Sequence, residues 1–314
     1  MAGLTALIPL DGTKLSESAF AMLPLIKTLG VENVELVSVW QGLWEYETSE
    51  RPGPKLQEFE EKGRAYVEAY LAQEATRVEG VGLSVKKVAL SGRAADEILR
   101  AAAESRADLI VIATHGRDGL ARWRLGSVAD KVVRHATCPT LVIGPNVEIE
   151  LEPYTVHRIL VPLDGSPLAE EVLPIATWIA ARTGAGLDLV RAVSLPPMDY
   201  EYSMGYVPGL LTELEDAGRA YLAGVATKLG TEVQAQSYLS VGPAGLNLLE
   251  QLRDHPAQLV IMMSHGRGGI ARTALGSVVD RLLHGPAPVL VLRSEELEGK
   301  LSQAAKEELA SKLP

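Results

Sequence analysis

One phrase that could bind an anion is written twice in this chain. Residues 114–128 read THGRDGLARWRLGSV, and residues 264–278 read SHGRGGIARTALGSV. Each copy follows an apolar run, leads into a helix-like stretch and places nine residues between two of its glycines. Glycine lets the backbone approach a ligand, and a Gly-Ser pair at the start of a helix favours an anion. The repeat therefore predicts two anion sites, each formed by a loop and the helix after it.

An aspartate stands upstream of each phrase, in the sequence Pro-Leu-Asp-Gly at Asp11 and again at Asp164. Each aspartate follows a predicted first strand, and each glycine phrase follows a predicted fourth strand. Ligands of open α/β sheets bind at the carboxyl ends of strands where the winding direction reverses. If the first and fourth strands are neighbours, a carboxylate for ribose or base donors faces backbone amides for phosphates. This combination suits a nucleotide.

Local charge favours an anionic ligand at the first phrase. Basic residues outnumber acidic ones between 115 and 135, in a chain whose net charge is −10. The charged side chains there are Arg117, Arg122, Arg124, Lys131 and Arg134 against Asp118 and Asp130. The second phrase carries fewer charged side chains, with Arg267, Arg272 and Arg281 against Asp280. A solvated surface helix would explain the same excess, but its coincidence with the glycine loop favours a ligand.

Signatures of several enzyme classes are missing from the sequence. It contains no dinucleotide fingerprint after a first strand, no P-loop, and no kinase or G-x-S-x-G signature. We expect His115 and His265 to anchor their loops by hydrogen bonds rather than to act in catalysis or metal binding. Asp11 could hold Mg²⁺ through water, but one carboxylate makes no dedicated cage. No general base for rapid hydrolysis is evident, so we expect slow turnover at most.

The composition limits the partners. The chain has 314 residues, 47% of them hydrophobic, and an acidic net charge of −10. Nucleic acids and anionic membranes need a basic face, so neither is expected as a partner. No apolar run reaches the length of a membrane span, and the N-terminus lacks the basic region of a signal peptide. The single cysteine, Cys138, precedes an apolar strand and is predicted to be a buried thiol in a cytoplasmic protein.

The two phrases belong to a longer internal repeat. Residues 5–16 match 158–168 at a spacing of 153, residues 64–66 match 219–221 at 155, and residues 92–116 match 242–266 at 150. Apolar strand-like runs alternate with helical patterns in each half. This predicts an α/β fold of two tandem doubly wound domains, each with a parallel sheet and helices on both faces.

The same pattern predicts the boundaries. The two domains are predicted at 1–145 and 158–294, with a linker at 146–157 and a C-terminal helix or tail at 295–314 that packs on the body. The predicted strands are 4–9, 34–39, 83–90, 108–113 and 139–143 in the first half, and 158–163, 186–193, 232–239, 257–263 and 287–292 in the second. The first-half helices are predicted at 15–29, 56–78, 93–105 and 127–135.

These residues resemble the universal stress protein family. The resemblance rests on a first strand ending in Pro-Leu-Asp-Gly-[ST] and on the phrase [ST]-H-G-R-x-G-[LI]-x-R-x-x-L-G-S-V, found twice in the same context. It covers both halves nearly end to end. It implies a five-stranded parallel sheet in the order 3-2-1-4-5 in each domain and, in one branch of the family, ATP binding at G-x2-G-x9-G-[ST].

The resemblance assigns a nucleotide site to each half, with ATP, AMP or ADP as ligand, with or without Mg²⁺. In the first half the implied residues are Asp11, Val39, Ile112, Ala113, Gly116, Arg117, Gly126, Ser127 and Val128. In the second half they are Asp164, Ala192, Met262, Gly266, Arg267, Gly276, Ser277 and Val278. The first glycine of the motif is replaced in both copies, by Ala113 and by Met263. The methionine could occupy ligand space, so the second site is the weaker prediction.

Three functions stay open at this point. The first is a nucleotide-binding regulator of the stress response, and the second is an interaction module of the same family that binds no nucleotide. The third is an adenylyl-transferring enzyme, which would need further chemistry in the 42–55 or 195–209 loops. The family also pairs last strands between domains, which implies internal pairing of 139–143 with 287–292 and a possible homodimer.

Overall fold

The computed structural model describes residues 3–40, 54–114, 125–149, 154–194, 209–231, 233–264, 275–293, 296 and 299–312. The chain divides into two compact units, Met1–Tyr154 with Glu298–Leu301, and Thr155–Leu297 with Ser302–Pro314. The break between Tyr154 and Thr155 falls within residues 146–157. No helix of the described residues is long and apolar enough to cross a membrane.

The first unit is an α/β fold around a parallel sheet. Its strands are β1 (Leu4–Leu10), β2 (Val31–Trp40), β3 (Ser84–Ser91), β4 (Leu109–Ala113) and β5 (Thr140–Ile143). They lie in the order β3-β2-β1-β4-β5. Its helices are a 3-10 helix (Ser16–Met22), α1 (Leu23–Thr28), α2 (Pro54–Gly80), α3 (Ala94–Ser105) and α4 (Ser127–His135).

The second unit repeats this plan. Its strands are β6 (Arg158–Pro162), β7 (Gly186–Val193), β8 (Ala235–Val241), β9 (Leu259–Met263) and β10 (Val289–Leu292). They are parallel, in the order β8-β7-β6-β9-β10. Its helices are α5 (Pro167–Glu170), α6 (Leu173–Thr183), α7 (Leu210–Leu229), α8 (Ala244–Asp254), α9 (Ser277–Leu282) and α10 (Lys300–Lys312). The predicted α/β fold is therefore confirmed in both halves.

The layers follow from the crossovers. Right-handed connections place α1 and α2 on one face of the first sheet and α3 and α4 on the other. An ion pair between Arg77 and Glu17 joins α2 to the 3-10 helix, and one between Lys131 and Asp96 joins α4 to α3. Strands β1 and β4 are buried along nearly their whole length because both of their faces are covered. Cys138 is also buried, as predicted.

The helix predicted near 15–29 is present and consists of two consecutive parts. The chain forms the 3-10 helix first, and α1 then starts at Leu23 with Pro24 in its first turn. Proline has no N–H to donate to the carbonyl four residues earlier, so it is tolerated only near a helix start. The second unit breaks in the same way between α5 and α6, where Pro174 lies in the first turn of α6.

One sequence match between the halves is coincidental. The match of residues 64–66 to 219–221 pairs Tyr66 with Tyr221, but Tyr66 is 77% exposed whereas the Tyr221 hydroxyl is buried. The buried hydroxyl of the first unit belongs to Tyr70, one helical turn later. Tyr70 is therefore the counterpart of Tyr221, and the true spacing of α2 and α7 is 151 residues.

The C-terminal helix α10 packs onto α6 in the second unit. Glu308 Oε2 accepts hydrogen bonds from Trp178 Nε1 at 2.9 Å and from Arg182 Nη2 at 2.7 Å. The Arg182 guanidinium also stacks on the Trp178 ring, 4.9 Å from its centroid. Ala305 is fully buried between these contacts and the start of the helix. One carboxylate therefore satisfies the indole and the guanidinium together.

Candidate functional site

Strand register brings the turn aspartate and the glycine loop to one edge of each sheet. Leu7 pairs with Ile110, so Asp11 and Thr114 follow four residues later at the same level. In the second unit Leu160 pairs with Val260, which places Asp164 level with Ser264. In each unit the strand that carries the aspartate is the central one, and the chain crosses from it in both directions. This is the point at which open α/β sheets bind ligands.

The two aspartates adopt the same hydrogen-bonded turn. Asp11 Oδ1 accepts from the Thr13 backbone N–H at 3.0 Å and from its hydroxyl at 2.6 Å. Asp164 Oδ1 accepts from the Ser166 N–H at 2.8 Å and from its hydroxyl at 2.6 Å. The residue between has φ of +80° in the first turn and +85° in the second, which explains its identity as glycine. Each turn fixes the direction of its carboxylate.

The residues on either side of the first glycine loop, Thr114 and Gly126, are hydrogen-bonded to each other, and we call this pair of loop ends the neck of the loop. The buried Thr114 donates its backbone N–H to the Ile143 carbonyl at 2.9 Å, and its hydroxyl accepts from the Gly126 N–H at 3.1 Å. At the start of the second loop, the Ser264 N–H donates to the Leu292 carbonyl at 2.7 Å, as the Thr114 N–H does to the Ile143 carbonyl. A Cβ on Gly276 would lie 3.2 Å from the Ser264 carbonyl oxygen. Close backbone approach therefore explains glycine at 276.

The helix after each loop begins without a side-chain cap. Gly126 and Gly276 occupy the N-cap positions of α4 and α9, and a glycine has no side chain that could accept from the first turn of the helix. Backbone N–H groups in such a first turn are available to an anion, aided by the helix dipole. Ser127 is exposed and Val128 half-buried at the start of α4, and Ser277 and Val278 repeat this pattern. Helix α4 has nine residues but α9 only six.

The residues expected to face a base differ in accessibility. Val39 near the end of β2 and Ala192 near the end of β7 are half-buried. Ile112 and Met262 are buried within their strands. A base at this edge would therefore find more surface on Val39 and Ala192 than on the two buried residues.

The backbone conformation does not require glycine at positions 113 and 263, where the family motif has one. Among the described residues Arg106 is the one non-glycine with a positive φ, so Ala113 and Met263 have ordinary strand conformations. Ala113 is half-buried and adds one methyl group, whereas the much larger Met263 is 6% exposed and fills space at the end of β9. The two edges therefore differ in how much space this side chain takes up.

Several predicted site residues lie outside the described residues. These are Gly116, Arg117, Gly266 and Arg267, together with His115 and His265. The same is true of the loops 42–55 and 195–209, in which enzyme chemistry would have to lie, apart from residues 54, 55 and 209. Within the described ranges no group of three or more His, Cys, Asp or Glu side chains could hold a metal ion.

The comparison with known families decides the family. Residues 5–144 and 155–293 each match the model of the Universal stress protein family. The chain belongs to the universal stress protein family. It carries two tandem copies of the family domain, as the internal repeat predicts.

Mycobacterial universal stress proteins are among its sequence relatives. One from Mycobacterium tuberculosis is 34% identical over 196 residues, which is 60% of this chain and 63% of the relative. Another from the same organism is 33% identical over 191 residues, which is 59% of this chain and 58% of the relative. The matches thus span less than two thirds of these universal stress proteins.

Solved structures have the same fold over nearly the whole chain. A universal stress protein from Archaeoglobus fulgidus is 19% identical with a TM-score of 0.68, covering 93% of this chain and 99% of its own. A putative universal stress protein from Pseudomonas aeruginosa is 19% identical with a TM-score of 0.66, covering 99% of both chains. At this identity the likeness shows the fold of the universal stress protein and nothing finer.

The structure also adds residues that the sequence does not single out. Burial raises the pKa of Tyr70 to about 12, and the neighbouring Glu17 carboxylate adds to the rise. Burial likewise raises the pKa of Tyr221, where Glu170 adds to the rise and the Arg191 guanidinium, 4.5 Å from the ring, opposes it. Both tyrosines lie near the turn aspartate of their unit. Because they are far from it in sequence, no local motif marks them.

Proposed function

We propose that the first unit binds an adenine nucleotide. Asp11 accepts hydrogen bonds from the ribose or the base, Val39 and Ala113 line the base, and the phosphates meet the first turn of α4 at Ser127 and Val128. The observation that supports this is the neighbouring position of the Asp11 turn and the loop neck at Thr114, at the switch point of the sheet. The ligand is ATP, AMP or ADP, with or without Mg²⁺.

The second unit has the same elements in a less favourable form. Met263 fills space where the first unit has Ala113, and α9 is a single short helix of six residues. Fewer aligned peptide dipoles and less room both weaken a site for a large anion. The proposal therefore assigns the tighter site to the first unit and a weak or silent one to the second.

The site is suited to holding a nucleotide rather than to rapid turnover. Asp11 Oδ1 already accepts two hydrogen bonds from Thr13, so this oxygen is engaged in its own turn. The output we propose is therefore regulatory: the nucleotide sets the conformation of a protein of the stress response, with slow hydrolysis at most. Pairing of the last strands, 139–143 and 287–292, and a homodimer stay predictions.

A second function is favoured by one observation. The motif glycine is absent from both copies, at Ala113 and Met263, which suits an interaction module of the same family that binds no nucleotide. Mass spectrometry of the denatured, purified full-length protein separates the two functions. We expect an adenine nucleotide to co-purify, or ATP or AMP to bind below the millimolar range in calorimetry. A protein that neither retains nor binds either nucleotide would leave the interaction module as the function.

A further inference from the structure

The two units can be compared residue by residue at one edge of their sheets. Strand β3 pairs with β2 at the end of the first order, and β8 pairs with β7 at the end of the second. Lys86 of β3 lies beside Glu35 of β2, and Gln236 of β8 lies beside Asp188, which holds the same place in β7. Lys86 and Gln236 are therefore equivalent, at a spacing of 150 residues.

The two edges differ in charge. The sequence 83–99 (LSVKKVALSGRAADEIL) contains five charged residues, whereas the equivalent sequence 233–249 (VQAQSYLSVGPAGLNLL) contains none, although 22% of the whole chain is charged. Lysine on an edge strand hinders pairing with a further strand, and β3 has two in succession, Lys86 and Lys87. Gln236 and Ser237 stand in their places, so β8 lacks this protection.

The uncharged edge also exposes apolar side chains. Val241, at the end of β8, is 47% exposed, and Leu246, in the first turn of α8, is 49% exposed. Their counterparts in the first unit are Ser91 and Asp96, which are polar. A change from polar to apolar at both positions suits a surface that another protein covers better than one that faces water.

The backbone of β8 is open to a further strand. Among the described residues β8 pairs with β7 alone, so the N–H and C=O groups of its outer side have no strand partner there. Gln236 and Ser237 are consecutive and both exposed. Consecutive side chains point to opposite faces of a sheet, so neither helix layer covers this part of the edge. An incoming strand can therefore reach it.

The charged residue that contacts this edge is neutralised within its own unit. Arg158 Nη2 donates to Gln236 Oε1 at 3.0 Å, and the same guanidinium forms an ion pair with the buried Asp188. The Tyr238 hydroxyl donates to the same Gln236 oxygen at 2.6 Å, and its ring centroid lies 4.9 Å from that of His255. These contacts hold the side chains on one face of β8 without adding net charge.

We propose that β8 is the pairing edge of a homodimer, in which the β8 strands of two copies run antiparallel about a two-fold axis. In such an interface the same surface of each copy meets the other, so it has to be complementary to itself. No register of β8 against its copy brings like charges together, because residues 233–249 carry none. The same pairing of β3 would bring Lys86 and Lys87 close to their copies, which is unfavourable. The proposal is independent of the nucleotide site and of any pairing of the last strands.

Sedimentation velocity of the full-length protein tests the proposal, because each unit supplies the substitution for the other. We expect the wild type to be in a monomer–dimer equilibrium at micromolar concentrations. Ser237→Lys raises the dimer Kd roughly 10-fold or more, since the new charge is present in both copies at the interface. Lys87→Ser, the reverse change at the equivalent position of β3, leaves the Kd unchanged. Ser237→Thr adds no charge and retains the dimer.

Amide hydrogen exchange locates the interface and checks the fold. In the wild type, exchange in residues 235–241 slows as the protein concentration rises, whereas exchange in residues 84–91 does not change. Ser237 is exposed, so dilute Ser237→Lys protein should melt at the temperature of dilute wild type. Equal melting temperatures show that the variant loses pairing and not structure.

Each contrary outcome overturns the proposal. A wild type that stays monomeric throughout the micromolar range has no such interface. A dimer that Ser237→Lys leaves intact, or that Lys87→Ser weakens equally, uses another surface. A monomer in which residues 235–241 are protected only after a different protein is added has an edge for that partner and not for a second copy.

Discussion

The Gly126 N–H donates to the Thr114 hydroxyl at 3.1 Å, so that the first glycine loop leaves β4 and enters α4 at one fixed point. Thr114 is itself tied to β5 through the Ile143 carbonyl. The ends of the loop are therefore positioned by the sheet. A fixed neck presents the start of α4 to the same edge as Asp11, which preorganises a site before any ligand arrives.

Replacing Thr114 with valine tests this neck. The change keeps the shape of the side chain but leaves the Gly126 N–H without its acceptor, which lowers the free energy of unfolding by roughly 1–3 kcal/mol. It also weakens ATP binding, because α4 is less firmly placed. Chemical denaturation gives the first quantity and calorimetry the second.

Thr76→Val is the control for that change. The Thr76 hydroxyl is exposed and donates to the Gln73 carbonyl within α2. We expect its effect on unfolding to stay within about 0.5 kcal/mol. Equal effects at the two positions would show that the Thr114 hydroxyl does not hold the loop.

Gly276→Ala tests the close approach in the second unit. The φ of −62° at Gly276 suits alanine, so the change acts through space: the new methyl would lie 3.2 Å from the Ser264 carbonyl oxygen. We expect a loss of about 1 kcal/mol in the free energy of unfolding. Gly224→Ala in α7 meets nothing within 4 Å and should stabilise by roughly 0.5–1 kcal/mol, since alanine favours a helix. If both changes raised, or both lowered, the free energy of unfolding, the steric explanation would be refuted.

Glu308→Ala tests the attachment of α10. Glu308 accepts from the Trp178 indole and from Arg182, and both donors lose their partner in the variant. We expect faster amide exchange in residues 300–312 and emission from Trp178 shifted to longer wavelength. The neighbouring Glu307 is exposed, so Glu307→Ala should leave both measurements unchanged. Unchanged exchange in Glu308→Ala would show that apolar contacts alone hold the helix.

Alkaline pH should destabilise the first unit through Tyr70. Its pKa is raised from 10.0 to about 12, chiefly by burial, so the folded state favours the protonated phenol. The stabilising contribution is complete below pH 10 and is lost as the pH rises through about 12. In Tyr70→Phe, the fall of the unfolding free energy over this window becomes shallower, whereas Tyr66→Phe at an exposed position leaves it as in the wild type. Identical profiles for both variants would contradict a raised pKa.

The sequence predicts elements well where a residue pattern is local. The runs 109–113 and 140–143 are apolar and β-rich, which fits strands covered on both faces, and Pro-Leu-Asp-Gly marks a strand end and a turn. The first helix lies where it is predicted, and Pro24 marks the start of its α-helical part. A local pattern misleads at one place: the repeated Arg-Ala-Tyr sequence pairs Tyr66 with Tyr221, whereas Tyr70 has the buried hydroxyl.

The remaining features depend on contacts between distant residues. Tyr70 reaches the Asp11 turn from another helix, and no spacing in the sequence reports that contact. The closeness of Gly276 to the Ser264 carbonyl likewise depends on how the chain returns after the loop. Sequence identifies the aspartate and the glycine phrase as parts of one site, but their relative position comes from the register of β1 with β4.

Titration of ATP into full-length wild type, Asp11→Ala and Asp164→Ala proteins by calorimetry tests the central claim most directly. Loss of a hydrogen-bond acceptor that is charged predicts a Kd raised roughly 10- to 150-fold by Asp11→Ala at the tighter site. Asp164→Ala should leave that site unchanged. A wild type without measurable binding, or a tighter site lost with Asp164 and kept without Asp11, would contradict the assignment to the first unit.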